Sequence, residues 1–140
     1  MKDESGFTMV ELLIVVAIIG ILAALALSNF NLFKSNAKNA AAANDARGLA
    51  PGVDLVSTGG VDGSATPPTI APNPFGPDGG SVPASPPIPG ARYSPGTYVE
   101  ITFPAPAQYC IKTYQLGGSV CYEVRNGAMT SEPYPCTPCA

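Results

Sequence analysis

The sequence predicts an α+β fold: one long N-terminal α-helix packed on a small antiparallel β-sheet, with a Pro/Gly-rich loop and a disulfide-stapled C-terminal tail. Three observations lead there. Residues 7–27, FTMVELLIVVAIIGILAALAL, form an apolar run carrying a single charge, Glu11. β-Branched and aromatic segments flank Gly117-Gly118, a two-residue hairpin signal. All four cysteines fall between Cys110 and Cys139. With 140 residues, one apolar segment included, the chain has room for a single modest domain with a thin core.

The apolar run predicts a membrane-spanning or bundle-forming helix over 7–28, preceded by a short hydrophilic stretch, 1–6. At ~1.5 Å per residue such a helix is roughly 30 Å long, enough to cross a bilayer's hydrocarbon core. A carboxylate near the end of a spanning helix disfavours insertion by about 1 to 3 kcal/mol. Glu11 therefore implies a partner that one chain in lipid does not supply, namely another copy of the chain. Gly20 allows close approach between two such helices. The helix is expected to continue as an amphipathic half over 29–50. There Phe30, Phe33, Ala37, Ala40 and Ala41 recur at helical spacing as the face for the sheet, with Lys34, Lys38, Asn39 and Asp45 turned away or sideways. Gly48 and Pro51 are the expected stop.

The remainder, 51–140, reads as a head. Prolines and glycines punctuate 51–96 so densely that it is expected to be loop, draped over a neighbouring copy or free on the surface. Strands are expected over 97–103, 108–116, 119–125 and 128–132, antiparallel. With Gly117-Gly118 as the turn, Leu116 faces Ser119 and Tyr114 faces Cys121. Tyr109, Ile111 and Thr113 then share a helix-facing side with Val120, Tyr122 and Val124. Cys110 and Cys121 lie on the other side, roughly 13 Å apart at ~3.3 Å per residue and beyond disulfide reach. The tail, 133–140, can fold back across that side, which favours Cys121 with Cys136 and Cys110 with Cys139. A turn centred near Gln115 would instead pair Cys110 with Cys121 and Cys136 with Cys139. A metal site built from all four cysteines is the other reading of Cys136-Thr137-Pro138-Cys139.

Composition narrows the chemistry. The chain has no histidine, and beyond Ser28 its six basic and seven acidic side chains nearly cancel. Without histidine, a phosphate loop or paired acids, no catalytic residue and no cofactor is expected. No Lys/Arg stripe exists for direct nucleic-acid binding. The cysteines fit two structural disulfides in an oxidising compartment, with no metal.

Gly6-Phe7-Thr8-Met9-Val10-Glu11-Leu12-Leu13 resembles the processing motif of type IV pilins and the related pseudopilins. The resemblance covers the N-terminal segment. It implies that 1–6 is a leader cut after Gly6 by a prepilin peptidase, that Phe7 becomes the methylated N-terminus, and that Glu11 neutralises the amine of a neighbouring subunit during assembly. It also implies an inner-membrane precursor pool, an extracellular homopolymeric filament on the cell surface, and a motor ATPase and platform protein as assembly partners. The expected role is structural, as the major pilin. Pseudopilins of type II secretion systems and minor or tip pilins share these N-terminal features, whereas a singly anchored surface protein that never polymerises leaves Glu11 and the Gly6-Phe7 junction unexplained. Two features depart from the family pattern. The leader has one lysine and two acids where family leaders are usually basic, and Ser28 stands where many pilins have a helix-kinking proline.

Overall fold

The computed structural model describes residues 6–59, 67–71 and 73–139, so most of the expected leader, Met1–Ser5, lies outside the described residues. The chain divides into two compact units, Met1–Lys34 and Ser35–Ala140. One helix, α1 (Met9–Ser57), contributes to both and is continuous through position 28.

In the first unit, α1 is long and apolar enough to cross a membrane. Its large apolar side chains, from Phe7 through Leu27 and on to Phe30, Leu32 and Phe33, are exposed all round the helix. Such a surface is at home only in lipid or against other helices. Phe30 and Phe33 thus belong to this exposed face, contrary to the expectation that they meet the sheet.

In the second unit the buried stripe of α1 has a different phase: Ala42, Ala46, Leu49, Val53 and Val56, at steps of four and three. Ala37 and Ala40 are exposed and Ala41 is half-buried. The helix also runs past both expected stops. Pro51 leaves the Arg47 carbonyl without its donor, at a cost of about 3 kcal/mol. Full burial of Leu49 and Val53 is worth roughly 2 kcal/mol each, and it requires helix on both sides of the proline. Arg47, Gly48 and Pro51 all lie on the exposed side, where water can reach the orphaned carbonyl. Termination comes at Gly59, in the left-handed region with φ 74°, after the Thr58 amide bonds the Asp54 carbonyl and the Gly59 amide bonds that of Val56.

Segment 67–96 is more ordered than expected. Four two-residue strands, β1 (Thr69–Ile70), β2 (Gly80–Ser81), β3 (Ala84–Ser85) and β4 (Arg92–Tyr93), form two miniature ladders, β1 with β3 and β2 with β4. Prolines between them keep each ladder short. The segment is no loose loop, because Phe75, Val82, Ile88 and Ala91 are buried in the same cluster as Leu49 and Val53. Gly52 lets it approach α1. A side chain there would put its Cβ 2.5 Å from the Pro89 carbonyl oxygen.

The main sheet is antiparallel with strands in chain order: β5 (Thr97–Thr102), β6 (Cys110–Gln115), β7 (Val120–Arg125) and β8 (Ala128–Pro133). The β6–β7 register pairs Ile111 with Val124 and Thr113 with Tyr122, as the Gly117-Gly118 turn predicts. Val99, Ile101, Ile111 and Val124 face α1 and form the core with Tyr109. Polar ties fix the helix on the sheet. Thr113 donates to the Ala42 carbonyl at 2.7 Å. The Asn39 side-chain oxygen accepts from the Ser119 amide at 2.9 Å, and Lys38 bonds the Leu116 carbonyl. Asp45, expected to turn aside, is buried and accepts from the Ser94 amide, the Ser94 hydroxyl and the Thr97 hydroxyl at 3.0, 2.9 and 2.6 Å.

Candidate functional site

The start of α1 is built by Thr8 and Glu11. Thr8 precedes the first helical residue, and its hydroxyl accepts from the Glu11 amide at 3.3 Å. In return Glu11 Oε2 accepts from the Thr8 amide at 2.9 Å and the Thr8 hydroxyl at 2.7 Å. This is a reciprocal capping box, T-x-x-E, which supplies acceptors for helix-end amides that lack intrahelical partners. Sequence reasoning singled out Glu11 and missed Thr8, although the spacing signal was present in Thr8-Met9-Val10-Glu11. Among the described residues both bonds to the carboxylate fall on Oε2, and Oε1 has no donor. Gly6 and Phe7 lie just ahead of the cap, with Phe7 84% exposed. The Gly6–Phe7 bond is thus next to an ordered helix end but outside it. Gly20 lies nine positions beyond Glu11, and among the described residues nothing outside its own stretch of helix comes within 4 Å of where its Cβ would stand.

The four cysteines lie far along the chain, on the sheet face opposite α1. They form Cys110–Cys139 and Cys121–Cys136, with Cα separations of 6.1 and 5.8 Å, the tail-stapled scheme. The alternative pairing and the four-cysteine metal site are thereby excluded, since none of these cysteines is free. The register explains the outcome: Cys110 stands opposite Arg125, so Cys121 lies four residues along the neighbouring strand.

The stapled tail covers a charge cluster that the sequence did not reveal. The Lys112 ammonium, 1% exposed, contacts Glu132 at 2.8 Å, Glu123 at 2.9 Å, and the Thr137 carbonyl. Thr137 in turn donates its amide and hydroxyl to Glu132 at 2.9 and 2.8 Å. Arg125 completes the set on Glu123. Burial works against the Lys112 ammonium, yet the hydrogen bonds and charges of Glu132 and Glu123 outweigh it and hold its pKa above the ordinary lysine value. Burial likewise works against the Glu123 carboxylate, but Arg125 and Lys112 keep its pKa low. Glu132 is held low by its bonds from Lys112 and Thr137. The alternation Cys110, Lys112, Tyr114 hints at an outer face, but nothing in the sequence says that a tail will cover it.

A tyrosine ladder flanks this cluster. Tyr98 and Tyr114 stack at 5.2 Å with 9° between their planes, and Tyr134 of the tail tilts against Tyr114 at 5.7 Å. Among the described residues no three His, Cys, Asp or Glu side chains gather as a metal site would require.

Comparisons with known proteins bear on the helix start. Residues 1–27 match the family model of the prokaryotic N-terminal methylation motif. The chain is similar to the type IV major pilin protein PilA of Myxococcus xanthus, with 52% identity over 44 residues, 31% of this chain and 20% of that protein. The match thus spans about a fifth of the relative's length. No solved structure matches the chain. The methylation motif on an exposed apolar helix, with the similarity to a major pilin, supports a relationship to type IV pilins over the N-terminal segment.

Proposed function

We propose that the chain is a structural subunit, a major pilin, of a type IV pilus. The observation that carries this reading is the exposed helix surface from Phe7 to Leu27, an apolar run interrupted by one charge, Glu11. In the precursor that surface is solvated by the inner membrane; in the fibre it is buried by helices of other copies. Apolar burial is worth about 25 cal/mol per Å² in either setting relative to water, so moving the helix from lipid to fibre exchanges one apolar environment for another. Specific contacts must then tip the balance.

Glu11 supplies one such contact. Cleavage between Gly6 and Phe7 by a prepilin peptidase frees the Phe7 amine, which is then methylated. The amine of a neighbouring copy docks on Glu11 Oε1 while Oε2 keeps its bonds to Thr8. At an effective dielectric of about 20, a charge pair ~4 Å apart is worth roughly 4 kcal/mol before desolvation. That favours one axial register between neighbouring helices. Gly20 serves as a point of close helix approach. A motor ATPase and a platform membrane protein complete the assembly apparatus, and the product is a homopolymeric filament on the cell surface.

Electron microscopy of sheared surface material, with mass spectrometry of its main band, tests the reading. Filaments composed of this chain, beginning at methylated Phe7, are expected. Glu11→Ala is expected to be processed and membrane-bound yet absent from filaments. Material that retains residues 1–6, or normal filaments from the Glu11→Ala chain, would overturn it.

A further inference from the structure

Between the stapled tail and strands β5 and β6 lies a cleft of about 180 Å³, whose lining includes Glu100, Lys112, Tyr114, Tyr134, Pro135 and Pro138. Lys112 is the direct cross-strand neighbour of Glu100, a position from which a lysine ordinarily neutralises an acid. Here the Lys112 ammonium is committed elsewhere, to Glu123, Glu132 and Thr137. Glu100 is left half-buried and, among the described residues, its carboxylate has no hydrogen bond or ion pair. Its field is felt next door: the Tyr114 phenol is raised in pKa first by burial, then by Tyr134, Tyr98 and Glu100.

A partly desolvated carboxylate beside aromatic faces is the complement of an organic cation, which gains an ion pair and cation–π attraction together. A single carboxylate offers too few ligands for a hard metal ion. The tyrosine and proline rings form flat walls, which suit a planar guanidinium better than a compact, strongly hydrated ammonium. The same unit of the chain carries such groups. Lys38 bonds the Leu116 carbonyl, Lys112 is satisfied, and Arg125 holds Glu123. The guanidinium groups of Arg47 and Arg92 are exposed and, among the described residues, make no hydrogen bond or ion pair. One unit thus presents an unpaired acid in an aromatic cleft and two unpaired guanidinium groups elsewhere, a self-complementary set.

We propose that the Glu100 cleft receives an arginine side chain, Arg47 or Arg92, of a second copy of this chain. The contact rests on the fibre reading and adds a lateral bond between heads, apart from the helices. The tail supplies a wall of the receptor through Tyr134, Pro135 and Pro138, so the Cys121–Cys136 staple holds the site open.

Two measurements on the full chain test it separately from the fibre reading. In the first, detergent-solubilised chain is titrated with arginine amide while the Tyr114 and Tyr134 ring signals are followed by NMR. A saturable shift is expected, lost in Glu100→Gln and weakened about tenfold when lysine amide replaces arginine amide. No shift, or an equal shift in Glu100→Gln, overturns the proposal whether or not fibres form. In the second, Glu100→Arg is expected to lower the assembled fraction about tenfold, and combination with Arg92→Glu or Arg47→Glu is expected to restore it. Unchanged assembly by Glu100→Arg, or rescue by neither reversed arginine, sinks the proposal. Failure of the wild-type chain to assemble sinks the fibre reading and leaves the titration to decide on the cleft.

Discussion

Replacing Lys112 by methionine keeps the aliphatic stem in place and removes only the ammonium beneath the tail. The charge holds two carboxylates and the Thr137 carbonyl at once. Breaking a fully buried ion pair from one side costs about 3 to 5 kcal/mol. Here the partners are 16% and 29% exposed and can recruit water, so the expected loss is about 2 kcal/mol. For a domain of this size that corresponds to roughly 10 °C in Tm. Near-UV circular dichroism of the full chain in micelles, melted across a pH series, reads it directly through the tyrosines. The pH dependence has a definite sign. Lys112, with its pKa raised, contributes stability below the unfolded lysine value of about 10.4 and loses it as pH rises through the folded value. Glu123 and Glu132, with pKa values lowered, contribute above the unfolded value of about 4.3 and lose it as pH falls through their folded values. Lys112→Met should therefore shrink both slopes, with Tyr109 and Tyr114, whose pKa values are raised, keeping part of the alkaline one and Arg125 still supporting Glu123. A variant within about 0.5 kcal/mol of wild type, with both slopes intact, would refute the reasoning.

Other perturbations probe the remaining elements. Thr8→Ala removes the cap of α1 and should cost about 1 kcal/mol locally, seen as faster amide exchange over the first helical turns, while Thr8→Ser should retain protection. Pro51→Ala restores a donor for the Arg47 carbonyl on an exposed helix surface and should raise the denaturation midpoint by about 1 to 2 kcal/mol equivalent; a lower midpoint would mean that the proline is not a defect in this helix. Removing the Cys121–Cys136 bond as the paired Cys121→Ser/Cys136→Ser variant opens a loop with a sequence separation of 15. That should cost about 3 kcal/mol in a denaturant melt.

The sheet was legible from short-range signals. Gly117-Gly118 specified the β6–β7 register, and that register separated Cys110 from Cys121 and sent each to the tail. The helix was harder to read. Its buried stripe passes Asn39 and Asp45, polar residues whose partners come from the β6–β7 turn, Ser94 and Thr97, so apolar periodicity alone chose the wrong phase. Gly48 and Pro51 are sound local stop signals, overruled by burial of Leu49, Val53 and Val56 across them. Prolines in 67–96 did forbid long strands, yet two-residue ladders need little, and Phe75 bridges to Val99 through two 2.8 Å bonds. At the candidate site, Gly6, Phe7 and Glu11 stood out because one acid in an apolar helix demands an explanation. Lys112 and Glu100 did not, because an exposed strand face ordinarily carries such residues and only the folded-back tail changes their surroundings.

The placement of the two crosslinks sets how this molecule gives way under tension. Cys110–Cys139 locks a stretch with a sequence separation of 29 and encloses the other crosslink. Pulled out as free chain, that stretch would lengthen the protein by roughly 100 Å. Covalently shut, it lengthens by almost nothing. No crosslink reaches α1, whose hold on the sheet consists of packing and a few hydrogen bonds at Lys38, Asn39, Ala42 and Asp45. Under load the molecule would therefore yield by peeling its helix from the sheet, and its last three strands, β6 to β8, enclosed by the outer crosslink, could not be unravelled from the C-terminal end.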